Sequence, residues 1–137
     1  MPSLAHELHL LVALMDRAAD GLLARHDVGL TYKRFLVLLH VSDADGPTQR
    51  DLADRLGSSE AATSRMVAGL ARDGLLDIGR GAGNRRELRI TAVGGERLAA
   101  AGHVLGDHFD ALVTSQGVDP TDLTTTVRRL AAALREG

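Results

Sequence analysis

Arginine is concentrated in the middle of this chain, and its chemistry indicates a negatively charged partner. Residues 48–90 carry eight arginines against six acids, whereas residues 1–47 and 91–137 each carry four basic and six acidic groups. The net charge of −2 for the whole chain therefore conceals a positive middle third. A local field of this sign attracts the phosphates of a nucleic acid. The alternative is a solvated charged face that has no partner.

The arginines lie on and around two short predicted helices. Thr48 can cap the first helix, with Asp51 in the capping-box position. Ser58 or Ser59 can cap the second, and Gly57 lies in the tight turn between them. Because two helices joined by so short a turn must cross, the pattern predicts a helix-turn-helix. That motif places its second helix in the major groove of DNA.

A β-hairpin is predicted directly after the second helix. Residues 75–78 and 85–90 are typical of short strands, and residues 79–84 form a glycine-rich loop between them. The loop lacks the Gly-Lys-Ser/Thr ending of a phosphate-binding loop and does not open a helix. A hairpin in this place is the wing of a winged helix.

Long amphipathic helices are predicted at both ends of the chain. Apolar residues at helical spacing predict a helix over residues 3–25, and Thr31 can cap the next one. Thr91 can cap a long helix, and Asp119-Pro120 can start a last helix with a narrow apolar seam. A small central lobe cannot bury all of these faces. We therefore expect an isologous homodimer, which would also space two recognition helices about 34–36 Å apart. The alternative is a monomer whose seam packs internally.

The predicted fold class is mainly α with a small β-hairpin wing, a winged helix-turn-helix with terminal dimerisation helices. Three parts follow from the pattern of elements. Residues 1–29 form an N-terminal dimerisation helix, residues 30–91 form the DNA-binding lobe, and residues 92–137 form the C-terminal dimerisation helices.

Composition and motifs exclude other classes of protein. The chain has no cysteine, which excludes disulfides and thiolate metal sites. The sequence has no bilayer-spanning apolar run and no visible secretory signal, so we expect a cytoplasmic protein with no membrane partner. Catalytic sets, nucleotide loops and metal motifs are also missing from the sequence, so we expect neither an enzyme nor a cofactor. A zinc site needs three or four convergent ligands, and the histidines of the two long helices do not supply them, so no metal is expected. These histidines are His6, His9, His103 and His108.

The order of elements and several motifs resemble the MarR family of bacterial transcription regulators. The likeness is carried by residues 48–57, by Ser59 and Ser64-Arg65, and by a wing sequence in which Asn84 precedes two arginines. It covers nearly the whole chain and is strongest over residues 48–91. It implies a sequence-specific DNA-binding regulator, a ligand-responsive repressor that acts as a homodimer on a pseudo-palindromic operator. The alternative is a winged-helix protein-interaction module without an operator of its own.

Three positions depart from the family pattern. Ala62 stands where the family often has Ser or Thr, which removes a hydroxyl contact to DNA. Asn84 replaces the usual wing Asp, so the ion pair made by that acid is lost. The return strand over residues 86–91 is about two residues shorter than usual, which keeps side chains on the same faces but gives a wing of shorter reach.

Seven residues are candidates for DNA contact. Arg65 is the best candidate for a base edge, because its planar fork matches guanine O6 and N7. The alternative for Arg65 is a surface ion pair with Glu60 or Asp73. Hydroxyl contacts to base or phosphate are expected from Ser59 and Ser64. The other candidates are arginines that suit phosphates or, on the wing, a narrow minor groove, with Arg86 preferred over Arg85 by family likeness: Arg50, Arg80, Arg85 and Arg86.

The resemblance also implies a small-molecule effector in the cleft between the dimerisation helices and the DNA-binding lobe. At the level of the family, an anionic aromatic compound is expected. Tyr32, Arg34 and His40 are the candidates for lining this cleft, and the alternative for each is a place on a helix surface. Binding there would shift the population between DNA-competent and DNA-incompetent states.

Overall fold

The computed structural model describes residues 3–44, 46–80 and 86–137, with Arg80 described by its backbone alone. These residues form six α-helices and one antiparallel β-hairpin, which confirms the predicted fold class. The elements in chain order are α1 Leu4–Arg25, α2 Tyr32–Asp43, α3 Gln49–Leu56, α4 Glu60–Arg72, β1 Leu76–Arg80, β2 Arg86–Ile90, α5 Ala92–Ser115 and α6 Pro120–Glu136.

Five helices begin at caps that were expected from the sequence. In each, a side-chain oxygen accepts a hydrogen bond from a backbone N–H of the first turn, which satisfies a donor that has no partner inside the helix. At α3 the capping box is complete in both directions. Only one of the two candidate serines caps α4. The five caps are Thr31, Thr48, Ser59, Thr91 and Asp119.

Two left-handed glycines set the limits of the helix-turn-helix. Gly57 has φ 64° and ends α3, which lets the chain turn into α4. Gly74 has φ 78° beyond the end of α4. The N–H of Leu75 then donates to the carbonyl of Leu70 at 2.9 Å, closing a Schellman motif. Residue 75 therefore belongs to the helix end, which is why β1 covers residues 76–80 and not the predicted 75–78.

The hairpin is fixed to the helices on both sides. Its register pairs Leu76 with Ile90, and β2 covers residues 86–90. The predicted start of this strand at residue 85 lies outside the described residues. The N–H of Leu88 donates to the carbonyl of Pro47 at 3.0 Å, which joins the hairpin to the segment before α3. A Cβ at Gly94 would overlap the carbonyl oxygen of Leu75, so glycine lets the first turn of α5 approach the start of β1.

One hydrophobic core joins the C-terminal part of α1 to the helix-turn-helix and the wing. Large side chains with exposed fractions of 0–1% come from five elements: Leu23, Leu38, Leu52, Leu70 and Leu88. In α1 the buried residues are confined to its last two turns. Within the described residues 86–137, α6 buries none of its side chains. No helix among the described residues has the length and hydropathy that crossing a membrane requires.

Candidate nucleic-acid interface

The recognition helix α4 has one buried face and one exposed face. Thr63, Val67 and Leu70 each have an exposed fraction of 0% and hold the helix on the core. Ser64 and Arg65 lie on the exposed side. Ser64 and Arg65, which were predicted from the sequence to contact DNA, are thus exposed to solvent, as insertion of a helix into the major groove requires.

Arg65 keeps its guanidinium free of the two acids named as its alternative partners. Asp73 binds Arg34, with Nη1 and Oδ2 2.7 Å apart. Glu60 lies near Arg50, with Oε1 and Nε 3.9 Å apart. Across the described ranges, no ion pair involves Arg65. The alternative of an ion pair with Glu60 or Asp73 is therefore wrong, because both acids face other arginines.

Arg50 lies in the first turn of α3, and Ser59 caps α4. The side chains of Arg50 and Glu60 are 82% and 69% exposed, so water screens their long contact and leaves the guanidinium available to a phosphate. Ser59 Oγ accepts the hydrogen bond of the Ala62 N–H at 3.1 Å. Capping uses only an oxygen lone pair of Ser59, so its hydroxyl hydrogen can still be donated to DNA.

The wing contributes one candidate whose side chain the structure describes. Arg86 begins β2 with an exposed side chain, opposite Arg80 in the register of the hairpin. Arg85 and Asn84 lie outside the described residues, so their expected roles, and the shorter reach of the wing, stay predictions. The ion pair between Arg89 and Glu87, at 3.3 Å, lies within β2.

The three candidates for ligand binding do not line one cleft. Tyr32 lines a cavity of about 500 Å³ between α1, α2 and α4, called here the α1–α2–α4 cavity. His40 lines a different cavity, of about 730 Å³, next to Arg55 of α3. Arg34 turns instead to Asp73. Residues two apart on a helix, such as Tyr32 and Arg34, face different sides, so the structure does not bring the three together. Their role in ligand binding stays a prediction.

The contact between Arg34 and Asp73 was not foreseen from the sequence. It joins the first turn of α2 to the C-cap of the recognition helix, residues 39 positions apart. Gly69 makes room for it, since a Cβ there would lie 2.9 Å from Nη2 of Arg34. The hydrogen bond from Arg34 lowers the pKa of Asp73. The only signal in the sequence was a glycine in the middle of a helix, which costs stability and indicates a close approach.

Each of the two cavities contains one titratable side chain whose pKa is shifted. Burial raises the pKa of the Tyr32 phenol, and the nearby Asp16 carboxylate raises it further. Asp20 Oδ1 accepts the Tyr32 N–H at 2.7 Å. In the second cavity, burial and the charge of Arg55 lower the pKa of His40. Both side chains therefore favour their neutral forms near pH 7.

The described ranges contain no group of three or more His, Asp or Glu residues placed to hold a metal ion. With crossed helices α3 and α4 followed by a hairpin, the molecule is a winged helix-turn-helix protein. Residues 28–87 match the family model described as "MarR family". Over these 60 of its 137 residues, the chain is similar to the MarR family of transcriptional regulators.

Solved structures share the fold over almost the whole chain. A MarR family transcriptional regulator from Silicibacter pomeroyi is 24% identical with a TM-score of 0.83, covering 98% of this chain and 88% of that one. MepR from S. aureus in its DNA complex is 20% identical (TM-score 0.73; coverage 98% and 96%). CouR from Rhodococcus jostii RHA1, bound to p-coumaroyl-CoA, is 17% identical (TM-score 0.79; coverage 96% and 91%). No curated protein sequence matches the chain.

Proposed function

We propose that this protein is a sequence-specific DNA-binding transcriptional regulator, a ligand-responsive repressor that acts as a homodimer on a pseudo-palindromic operator. One observation carries the proposal. The recognition helix buries one face completely and exposes Ser64 and Arg65 on the other, and the second strand of the wing begins with the exposed Arg86. The structural likeness to MepR in its DNA complex supports a DNA partner.

The side chains divide the work of binding between base edges and backbone. Arg65 reads a guanine in the major groove through its two parallel N–H groups. Ser59 and Ser64 donate to phosphate or base from the start and middle of α4. The remaining candidates are arginines that neutralise phosphates or enter the minor groove: Arg50, Arg80, Arg85 and Arg86.

The test is selection of bound fragments from random DNA, followed by mobility-shift titrations over a series of salt concentrations. A consensus with two half-sites is expected, with an affinity that falls as salt rises because phosphate contacts release counterions. Arg86→Ala should lower the salt slope by about 1, the change expected for one phosphate contact. Binding without sequence preference contradicts the proposal. A module that contacts only proteins would give no salt-dependent DNA binding at all.

The homodimer is supported by an uncovered apolar groove between α1, α5 and α6. The groove has a volume of about 420 Å³. It is lined by residues of all three helices, among them Leu8, Leu11, Phe109, Leu123 and Val127. Leu130 and Leu134 continue the same seam along α6 and are 49% and 83% exposed.

A second copy of this chain is the occupant that fits the groove. A helix of 17 residues that buries no side chain, as α6 does, is marginal in water without packing partners. Twofold symmetry lets the same seam on both chains cover itself. Each Leu or Val buried in this way contributes about 1.5–3 kcal/mol.

Light scattering of the purified protein tests the homodimer. The wild type should have the mass of two chains, and Leu130→Glu should shift it towards one because a charge enters the seam. Ala132→Glu is the matched control, since residue 132 lies about 180° around α6 from the seam. A monomeric wild type, or equal effects of the two variants, contradicts the proposed interface.

A small-molecule effector is supported by the α1–α2–α4 cavity. Its volume of about 500 Å³ lies within the roughly 300–1,000 Å³ of small-molecule sites. It is bounded by the recognition helix on one side and α1 on the other. A ligand there stabilises one position of α4 over another, and DNA affinity changes by the ratio of ligand affinities for the two states. The likeness to CouR, whose structure has p-coumaroyl-CoA bound, supports a small-molecule effector.

A further inference from the structure

The α1–α2–α4 cavity carries charges of both signs on different helices. α1 contributes Asp16 and Asp20, one helical turn apart. α2 contributes Lys33 and α4 contributes Arg65. No pattern in the sequence groups these four residues, because they come from three helices spread over 50 positions.

The four charges are not paired with one another. Among the ion pairs of the described residues, none joins Asp16 or Asp20 to Lys33 or Arg65. Both carboxylates and both cationic groups are therefore available to a molecule in the cavity. A purely anionic ligand would meet Lys33 and Arg65 but would also face two carboxylates, and like charges disfavour that arrangement.

The acidic wall has a fixed geometry. Asp20 Oδ1 accepts the Tyr32 N–H at 2.7 Å, which anchors this carboxylate at the N-terminus of α2 and leaves its second oxygen free. The Tyr32 ring stacks on Phe35 with centroids 6.0 Å apart, so the phenol beside this wall is held in place. Burial and the charge of Asp16 raise the pKa of Tyr32, which keeps its O–H as a donor.

Apart from Ser58 and the Tyr32 hydroxyl, the rest of the lining is apolar. Leu36, Leu56 and Met66 line the cavity between the charged groups, and Ala62 adds a methyl group from α4. This surface suits the flat face of an aromatic ring, while the two charged walls suit groups at its ends.

We propose that the cavity binds a small aromatic zwitterion, with its cationic group at Asp16 and Asp20 and its carboxylate at Lys33 and Arg65, and that the bound molecule withdraws Arg65 from DNA. This inference rests on the proposed function, because it assigns the effector class and the mode of regulation of the same cavity. It replaces the anionic aromatic compound that family likeness implies.

Competition for one guanidinium gives direct regulation. Arg65 cannot place its paired N–H groups on a guanine edge and on a ligand carboxylate at the same time. The ligand therefore lowers specific DNA affinity without needing a change in the distance between the two recognition helices.

The test uses the full-length protein with three probes: 4-(aminomethyl)benzoate, and the single-charge compounds 4-methylbenzoate and benzylamine. Titration calorimetry without DNA measures binding. The zwitterion should bind at least about tenfold more tightly than either single-charge compound, a factor that one added charge-assisted hydrogen bond supplies. Fluorescence anisotropy with labelled operator should show that only the zwitterion releases DNA.

Variants of each wall identify the contacts. Asp16→Asn and Asp20→Asn should each reduce the affinity for the zwitterion to that for 4-methylbenzoate. Lys33→Met should reduce the affinity for the zwitterion towards that for benzylamine. Asparagine keeps the oxygen that accepts the Tyr32 N–H, so Asp20→Asn preserves the anchor. Asp107→Asn on α5, outside the cavity, is the matched control and should leave all three affinities unchanged.

The outcomes separate this inference from the proposed function. Equal binding of the three probes, or binding of none, overturns the proposal that the cavity binds a zwitterion. Tight binding of the zwitterion that leaves operator DNA bound overturns the competition for Arg65. Both results can occur in a protein that binds its operator specifically, so the proposed function fails only if untreated protein shows no sequence-specific DNA binding.

Discussion

The helix-turn-helix lobe and the terminal helices differ in how much of their apolar surface they bury. In the lobe, α2, α3, α4 and the hairpin share a core whose largest side chains are almost fully buried. The N-terminal part of α1 and the whole of α6 leave their apolar faces uncovered in the described part of the chain. The lobe therefore carries its own packing energy, whereas the terminal helices need another surface to gain theirs. Under the proposed homodimer, packing within the lobe determines folding and the terminal helices determine assembly.

A leucine from each region gives the largest contrast. Leu38→Ala should lower the free energy of unfolding by about 2–5 kcal/mol, because residue 38 has an exposed fraction of 0% and leaves a cavity in the core. Leu134→Ala, at 83% exposed, should act only through assembly. Urea denaturation at several protein concentrations distinguishes them. The loss from Leu134→Ala should disappear at low concentration, where the wild type is also monomeric, whereas the loss from Leu38→Ala should not depend on concentration. Equal, concentration-independent losses would mean that the two regions do not differ.

Two exposed arginines sharpen the comparison for DNA. Arg65→Ala should cost about 1–3 kcal/mol of specific affinity and relax sequence preference at one position, because it removes a bidentate base contact. Arg129→Ala on α6 is the control and should leave DNA affinity unchanged. Titrations against operator and random DNA provide the measurement. An equal loss on both DNAs would show that Arg65 contacts backbone and reads no base.

Removing a threonine hydroxyl should affect stability differently in the two regions. Thr63 Oγ1 is buried and has no hydrogen-bond partner among the described residues, so Thr63→Val should raise the free energy of unfolding by about 1 kcal/mol. Thr126 is exposed on α6, and its hydroxyl donates to the carbonyl of Asp122 at 3.1 Å. Thr126→Val should change stability little. Thermal denaturation checks both, and a destabilised Thr63→Val would reveal an unrecognised partner for the hydroxyl.

The smallest effect concerns pH. The hydrogen bond from Arg34 lowers the pKa of Asp73 in the folded state, so this carboxylate stabilises the lobe above its unfolded pKa. That contribution is lost as the pH falls through the lowered folded value. The stability difference between wild type and Asp73→Asn should therefore shrink on acidification below the ordinary range of an aspartate. Asp107→Asn is the control, and parallel pH profiles for wild type and Asp73→Asn would exclude a role for the pair.

The candidate site was predictable where its signals were local and not where they were distant. The charge pattern and helical spacing placed Arg65 on the exposed face of α4, and the structure bears out that position. The cleft that the family resemblance implies grouped Tyr32, Arg34 and His40, which the structure places apart. Helical direction alone argued against that group, but nothing in the sequence named Asp73 as the partner of Arg34. The acidic wall of the cavity was missed altogether.

The sequence by itself determined the order of the elements, their caps and the class of fold. Capping residues and left-handed glycines act over three or four positions, so Thr48, Gly57 and Thr91 could be interpreted without knowing the rest of the chain. Only the tertiary structure decided which side chains from different helices meet. Asp16, Lys33 and Arg65 share a cavity because of the angles at which three helices pack, and those angles depend on the whole core rather than on any local run of residues.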